Sequence, residues 1–270
     1  MPRNERDLAV GEFLRIRRSS LAPPPSSTAR RVSGLRREEV AERAGVSVSY
    51  YTRIEQGVVT ASSDVLSAIG RALALDDDDR EHLLDLVAAA DRTVPTVPAG
   101  AGSSSAAAID AGLARVLESI DDIPAGVLGH DMTLLGWNRL AHEVFAPHLD
   151  FDGPRTHRLN WAWMLFMDQR CRARFDPWEP VAIDMVGRLR ASRAKHPWAG
   201  PLAALIRRLR TECADFERIW RRYPVRLGAL GEVRLSHPDL GTLRLRDTVL
   251  RTNDDSQQLL IVFHPVGPGA

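Results

Sequence analysis

The chain has little of what several classes of protein require. Its 270 residues contain only two cysteines, Cys171 and Cys213, too few for a disulfide framework and in keeping with reduced cytosolic thiols. No run of about 18 apolar residues occurs, so no membrane span and no membrane partner are expected. The opening MPRNERDLAV is charged and has no apolar signal core, which makes the expected location cytoplasmic. Lysine is almost missing: Lys195 is the only one, and the arginine bias is of the kind a GC-rich genome produces rather than a nucleic-acid signal in itself. The chain has no G-x-S-x-G, H-E-x-x-H, G-x-x-x-x-G-K or C-x-x-C, and no enzymatic activity or cofactor is expected. Its eight histidines are scattered. His142 and His148 have no carboxylate nearby in sequence to complete a metal set, so no metal site is expected. Cys171 and Cys213 form a redox pair only if the fold brings them together.

What is present begins with Leu35 to Gly57, LRREEVAERAGVSVSYYTRIEQG. Val40 and Ala44 lie on one face, with Glu38, Glu39, Glu42 and Arg43 elsewhere, so Leu35 to Ala44 reads as an amphipathic helix. Gly45 supplies a left-handed helix end, and Ser47 is a good N-cap for a second helix from Val48 to about Gln56. Tyr51 and Ile54 point inward from that helix, and Ser49, Tyr50, Thr52 and Arg53 point outward. Two helices joined by a short glycine-containing turn form a helix-turn-helix, whose second helix lies in the DNA major groove. The competing reading is a helical hairpin in an unrelated α-domain.

Charge supports the DNA reading once it is divided along the chain. The formal net charge is only +1, yet residues 1–57 hold 11 Arg against 7 acidic residues and residues 58–90 hold 2 Arg against 7 acidic residues. The positive charge sits with the helix-turn-helix, where phosphate contacts need it.

Arg53 is placed to pair with guanine O6 and N7, while Val48, Ser49 and Thr52 can touch base edges. Ser47, Tyr50 and Arg37 suit phosphates, Arg37 because it stands at a positive helix N-terminus. Against this, Glu55 and Glu38 can tie up neighbouring arginines, and Tyr50 can pack on the first helix. Arg30 and Arg31 end a loop rich in Pro and Ser, which reads either as solvated or as an arm touching DNA.

A helix over Asp7 to Arg18 precedes this segment, with Leu8, Phe13, Leu14 and Ile16 at helical spacing. A further helix over Asp64 to Leu75, capped by Ser62 or Ser63, follows it. The acidic run Asp76 to Asp79 opens a fifth helix with a stripe at Leu83, Leu84, Leu86 and Val87. Residues 1–90 therefore read as a five-helix, all-α DNA-binding domain, and 91–108, rich in Pro, Gly, Ser and Ala, as a linker.

Residues 109–270 read as an α+β domain. A helical pattern over Ile109 to Ile120 comes first, then a hairpin over Ala125 to Leu128 and Met132 to Trp137. Helical patterns follow over Asn138 to Phe145, Trp161 to Phe175, Pro180 to His196, Pro201 to Glu212 and Ala214 to Arg222. Strand patterns over Val225 to Leu230, Gly231 to His237, Thr242 to Leu250 and Gln258 to His264 close the chain. An antiparallel sheet made by strands from both ends, with helices grouped between, is expected.

Two resemblances carry this further. Ala41, Gly45, the Val46-Ser47 pair and the run Tyr51 to Gly57 resemble the helix-turn-helix of the phage-repressor-like (XRE) family. The stretches VLGHDMTLLGWNRLA, LNWAWMLFMDQRCRARFDPWEPVA, FERIWRRYPVR and LSHPDLGTLRLRDTVLR resemble the MmyB-like ligand-binding domain that follows such helix-turn-helix domains in actinobacterial regulators. The second resemblance implies a PAS-like antiparallel sheet and a pocket for a long, fatty-acid-like molecule. Trp161, Trp163 and Arg246-Asp247-Thr248 depart from the family pattern and bear on pocket shape.

On that basis Trp137, Trp161, Met164, Leu165, Phe166 and Trp220, with Trp163 and Trp178, are candidates to line the pocket, and Asn138 and His237 to orient a ligand. Each large apolar residue has a competing reading as plain core. The function expected is a transcription regulator that binds a double-stranded operator as a homodimer and senses a small apolar effector. Two rivals remain open. In one, the second domain is a protein-interaction or dimerisation module without ligand; in the other, an enzyme or carrier uses the helix-turn-helix only to dock a protein.

Overall fold

The computed structural model describes residues 5–22, 34–91, 108–197, 199–225, 231–252 and 257–266. The linker reading over 92–107, Arg30 and Arg31, and the strand expected to end at Leu230 fall outside these residues. The chain divides into two compact units, one built on residues 1–95 and 193–198 and one on residues 96–192 and 199–270.

The first unit holds five helices: α1 (Glu5–Ser20), α2 (Arg37–Ala44), α3 (Val48–Glu55), α4 (Ser63–Ala72) and α5 (Asp77–Asp91). Local signals set their ends. Gly45 closes α2 at φ 68°, its N–H returning to the carbonyls of Ala41 and Glu42. Ser47 Oγ accepts from Tyr50 N–H at 3.2 Å and starts α3, and Ser62, not Ser63, caps α4. Phe13, Leu14, Leu35, Val40, Tyr51, Ile54, Leu66, Ile69, Leu73 and Leu83 form the core.

Two stripes expected from sequence each differ at one residue. Leu8 and Leu84 are 40% and 53% exposed, and Val10 and His82 are buried in their helices. α1 approaches the end of α3 so closely that a Cβ on Gly11 would lie 2.4 Å from the Glu55 carbonyl oxygen. Only glycine fits there.

The second unit is a five-stranded antiparallel sheet with helices inserted between its second and third strands. Its strands are β1 (Ala125–Leu128), β2 (Leu134–Trp137), β3 (Glu232–His237), β4 (Gly241–Arg251) and β5 (Leu259–Pro265), in the spatial order β2-β1-β5-β4-β3. β1 pairs with β5, with Val127 opposite Leu260, so strands from the two ends of the domain join as expected.

The helices are α6 (Ala111–Ser119), α7 (Arg139–Phe145), α8 (Gly153–Thr156), α9 (Trp161–Met167), α10 (Gln169–Arg172), α11 (Trp178–Lys195), α12 (Gly200–Glu212) and α13 (Ala214–Trp220). α6 covers the outer face of the sheet at β1, β2 and β5 through Leu117, Ala125, Val127 and Leu260. The main core lies on the other face and includes Phe145, Leu165, Met185, Leu189, Phe216, Leu235, Leu245 and Phe263.

That two-sided cover explains the sequence of β5, LLIVFHP, which is apolar without alternation. β3 and β4 are covered on one face only and alternate. Asp247 takes an inward position on β4, where alternation calls for an apolar residue. It is 2% exposed and accepts from Arg188 of α11 at 3.0 Å and from Gly231 N–H at 3.1 Å. Burial lowers the pKa of Arg188 although Asp247 and Asp184 oppose this.

The expected single helix over Trp161 to Phe175 is broken. Asp168, with φ −94° and ψ 108°, leaves helical geometry, ends α9 and caps α10, and Phe175 forms a bridge to Leu235 instead.

Candidate DNA interface and ligand pocket

The face of α3 is divided as the spacing requires. Tyr51, Ile54 and Glu55 are buried, Ser47, Val48, Ser49 and Arg53 are exposed, and Tyr50 and Thr52 are half-buried. No acidic residue stands in the first turn of α3, so its positive end is open to an anion.

Glu55 decides which arginines are available. Its carboxylate, 1% exposed, accepts from Arg18 Nε at 2.6 Å and Nη2 at 3.3 Å, and from Arg37 Nε at 2.7 Å. Burial alone would raise the Glu55 pKa, but the bonds from Arg18 and Arg37 outweigh it and hold the group below its ordinary value. The Tyr51 phenol lies against this cluster without a hydrogen bond of regular geometry. Burial first and the Glu55 carboxylate second push its pKa far up.

Arg37 is thus half-committed: Nε faces Glu55, and the side chain is 40% exposed. Arg53 is exposed and has no ion-pair partner among the described residues. The tie that Glu55 was expected to form therefore falls on Arg18 and Arg37 and leaves Arg53 open.

In the second unit the sequence-derived ligand residues separate into groups. Trp137 and Trp161 line a small apolar cavity of about 30 Å³ under the sheet, with Leu128, Leu134, Phe145, Ile261 and Phe263. Met164, Leu165 and Phe166 are 1–5% exposed and belong to the core. Phe166 meets Trp178 and Phe216 edge-on, with ring centroids 5.5 Å and 4.9 Å apart. Trp220 stacks on Phe216 at 5.7 Å beneath the Arg190 guanidinium at 3.9 Å. None of these four residues lines either cavity described here.

Asn138 lines a groove beside Trp137 and also holds the local backbone together. Its Oδ1 accepts from Ala125 N–H at 3.0 Å and Ala141 N–H at 2.9 Å, and its Nδ2 donates to Ile120 and Ile123 carbonyls at 2.8 Å and 2.7 Å. Two acceptor and two donor sites are all spent. His237 Nδ1 accepts from Asp239 and Leu240 N–H at 3.2 Å and shapes the β3–β4 turn.

A larger groove of about 550 Å³ lies on the other side of Trp137. It runs between α6, β2 and α8 and is lined by Leu117, Leu135, Leu140, Phe151 and Pro154, with Asp121, Arg139 and Asp152 at polar positions. Of the sequence-derived candidates Trp137 and Asn138 line it, and the rest of its walls come from segments too far apart in the chain to be read together. Trp137 is shared by both spaces and is fixed by donating Nε1–H to the Phe151 carbonyl at 2.7 Å.

His148, for which no metal set was expected from local spacing, is joined in the fold by Asp168, 20 residues away, and by Cys171. Cys171 and Cys213 are both buried free thiols. Among the described residues no helix is long and apolar enough to cross a membrane.

Comparison with known families places residues 109–269, more than half of the chain, in the MmyB-like transcription regulator ligand binding domain, and residues 9–83 in a helix-turn-helix domain. Comparison with curated proteins gives no match.

Proposed function

Because the chain belongs to the family of MmyB-like transcription regulators and carries a helix-turn-helix domain ahead of the ligand-binding domain, we propose that it reads a specific operator with α3 and that a small apolar, fatty-acid-like effector controls this reading. The observation that carries the DNA half is the division of arginines. Glu55 takes Arg18 and Arg37, and Arg53 stands exposed on the outer face of α3 with no ion-pair partner among the described residues. In this reading Arg53 contacts guanine, Val48, Ser49 and Thr52 touch base edges, and Ser47, Tyr50 and the free end of Arg37 hold phosphates. One helix-turn-helix offers a small interface, so the chain acts as a homodimer whose two copies of α3 meet half-sites about 34 Å apart or a multiple of that.

Arg53→Ala tests this assignment. In anisotropy titrations on the operator it should cost about 1–3 kcal/mol and relax the sequence preference. Unchanged affinity on the operator would remove Arg53 from the recognition surface.

The effector half is supported by the apolar lining of the cavity shared by Trp137 and Trp161. At about 30 Å³ it is far smaller than the roughly 300 Å³ at which ligand sites begin. The effector therefore enters by displacing side chains, Trp137 and Trp161 first. Organic extraction of the purified chain tests the reading: a co-purified fatty acid supports it. A second reading, in which the domain is an interaction module without ligand, draws on the same small volume and would be favoured if extraction yields nothing and added fatty acid leaves tryptophan fluorescence unchanged.

A further inference from the structure

We propose that His148, Asp168 and Cys171 form a binding site for a divalent cation of the zinc class. One donor atom from each, imidazole nitrogen, carboxylate oxygen and thiol sulfur, lies within 4.8 Å of the others. His148 comes from the loop after α7, and Asp168 and Cys171 come from the start of α10, so the cluster joins two segments distant in sequence.

The carboxylate is already oriented. Asp168 Oδ1 accepts the N–H groups of Arg170 at 2.8 Å and Cys171 at 3.3 Å, while Oδ2 faces His148 Nε2 at 2.7 Å. The helix cap thus holds one oxygen and leaves the other aimed into the cluster. Cys171 is 2% exposed, and the His148 and Asp168 side chains are 17% and 26% exposed, so the thiol forms the floor and the other two the rim. A solvent molecule can reach the rim and complete a four-coordinate shell, as in zinc sites with three protein ligands.

The donor set chooses the metal class. Thiolate and imidazole favour zinc and its neighbours over magnesium or calcium, which take oxygen. Neutral imidazole, one carboxylate and one thiolate balance a divalent charge. The thiol proton leaves to solvent as the metal binds. Tetrahedral donors at zinc bond lengths are roughly 3.5 Å apart, so the His148–Asp168 pair, now at 2.7 Å, opens by about 1 Å and separations up to 4.8 Å close by about as much, within reach of side-chain rotation. A loaded site would clamp the end of α9 to the loop after α7. α9 carries Trp161 at its other end.

The test is a titration of the full-length, metal-free chain with Co²⁺, which reports on thiolate ligation by absorbance. We expect a thiolate-to-cobalt charge-transfer band that saturates at one equivalent and is displaced by Zn²⁺. Cys171→Ser should abolish the band, His148→Gln should weaken Co²⁺ binding more than tenfold, and Cys213→Ser should leave it intact. A folded wild-type chain without the band, or a band that survives in Cys171→Ser, would overturn the site. Should Cys171→Ser fail to fold, His148→Gln at the rim decides: Co²⁺ binding equal to wild type would overturn the site equally.

Discussion

Glu55 is the residue on which the geometry of the DNA-binding unit turns. It stands at the last position of α3, is buried, and receives arginines from either side: Arg18 of α1 and Arg37 of α2. The ion pairs tie the recognition helix to both neighbours, and the Gly11 contact at 2.4 Å leaves α1 no room to move toward α3. Glu55→Gln keeps the shape and removes the charge, leaving Arg18 buried without a counter-ion. A loss of about 3 kcal/mol in denaturant unfolding of the first unit is expected. The pH dependence has a definite sign. A carboxylate with a depressed folded pKa contributes its full stability above its ordinary value of 4.5 and loses it as pH falls through the lower folded value. Acid unfolding of the first unit should therefore be less steep in Glu55→Gln than in wild type. Identical acid limbs would show that the ion pair does not hold α3.

Elements were legible in the sequence where their signals are local. Gly45, Ser47 and the spacing of Tyr51 and Ile54 mark α2, the turn and α3 within a few residues, and the bounds agree with the structure to within two positions. β3, β4 and β5 were legible because covered and bare faces leave different patterns. Where a boundary depends on distant partners, the sequence reads differently. Asp168 is compatible with a helix interior in an amphipathic pattern, but its carboxylate serves the N–H groups of α10 and meets His148, and the helix breaks. Asn138 looked like a free polar group beside a tryptophan because three of its four partners, Ala125 and the Ile120 and Ile123 carbonyls, lie 13 to 18 residues upstream. It fastens β1, the loop before it and the start of α7. Asn138→Ala should cost about 3 kcal/mol, since four backbone groups lose their partner and are only partly rehydrated. Five of the six tryptophans, Trp137, Trp161, Trp163, Trp178 and Trp220, lie in the second unit, so tryptophan fluorescence reads mainly its unfolding. Asn138→Asp, which keeps the acceptor and loses the donor, should fall between wild type and Asn138→Ala. A denaturation midpoint equal to wild type in Asn138→Ala would show that Asn138 does not fasten these elements.

At the scale of the whole molecule, a reader of DNA and a sensor of small molecules share one chain. The reader has a localised positive charge, 11 Arg against 7 acidic residues in its first 57 residues, within a molecule of formal net charge +1. The sensor has an apolar space too small for a long chain in its present form, next to an open groove, with Trp137 common to both. For the effector to act on DNA binding it must bind the operator-competent and operator-incompetent arrangements with different affinity, and the coupling cannot exceed that difference. The most direct measurement is the anisotropy of full-length chain on a duplex from its own upstream region and on a scrambled duplex, each with and without a saturated long-chain fatty acid. The account predicts tighter binding to the upstream duplex, and a shift of about fivefold or more in that affinity when the fatty acid is added. Equal affinity for the two duplexes, unmoved by the fatty acid, would contradict it.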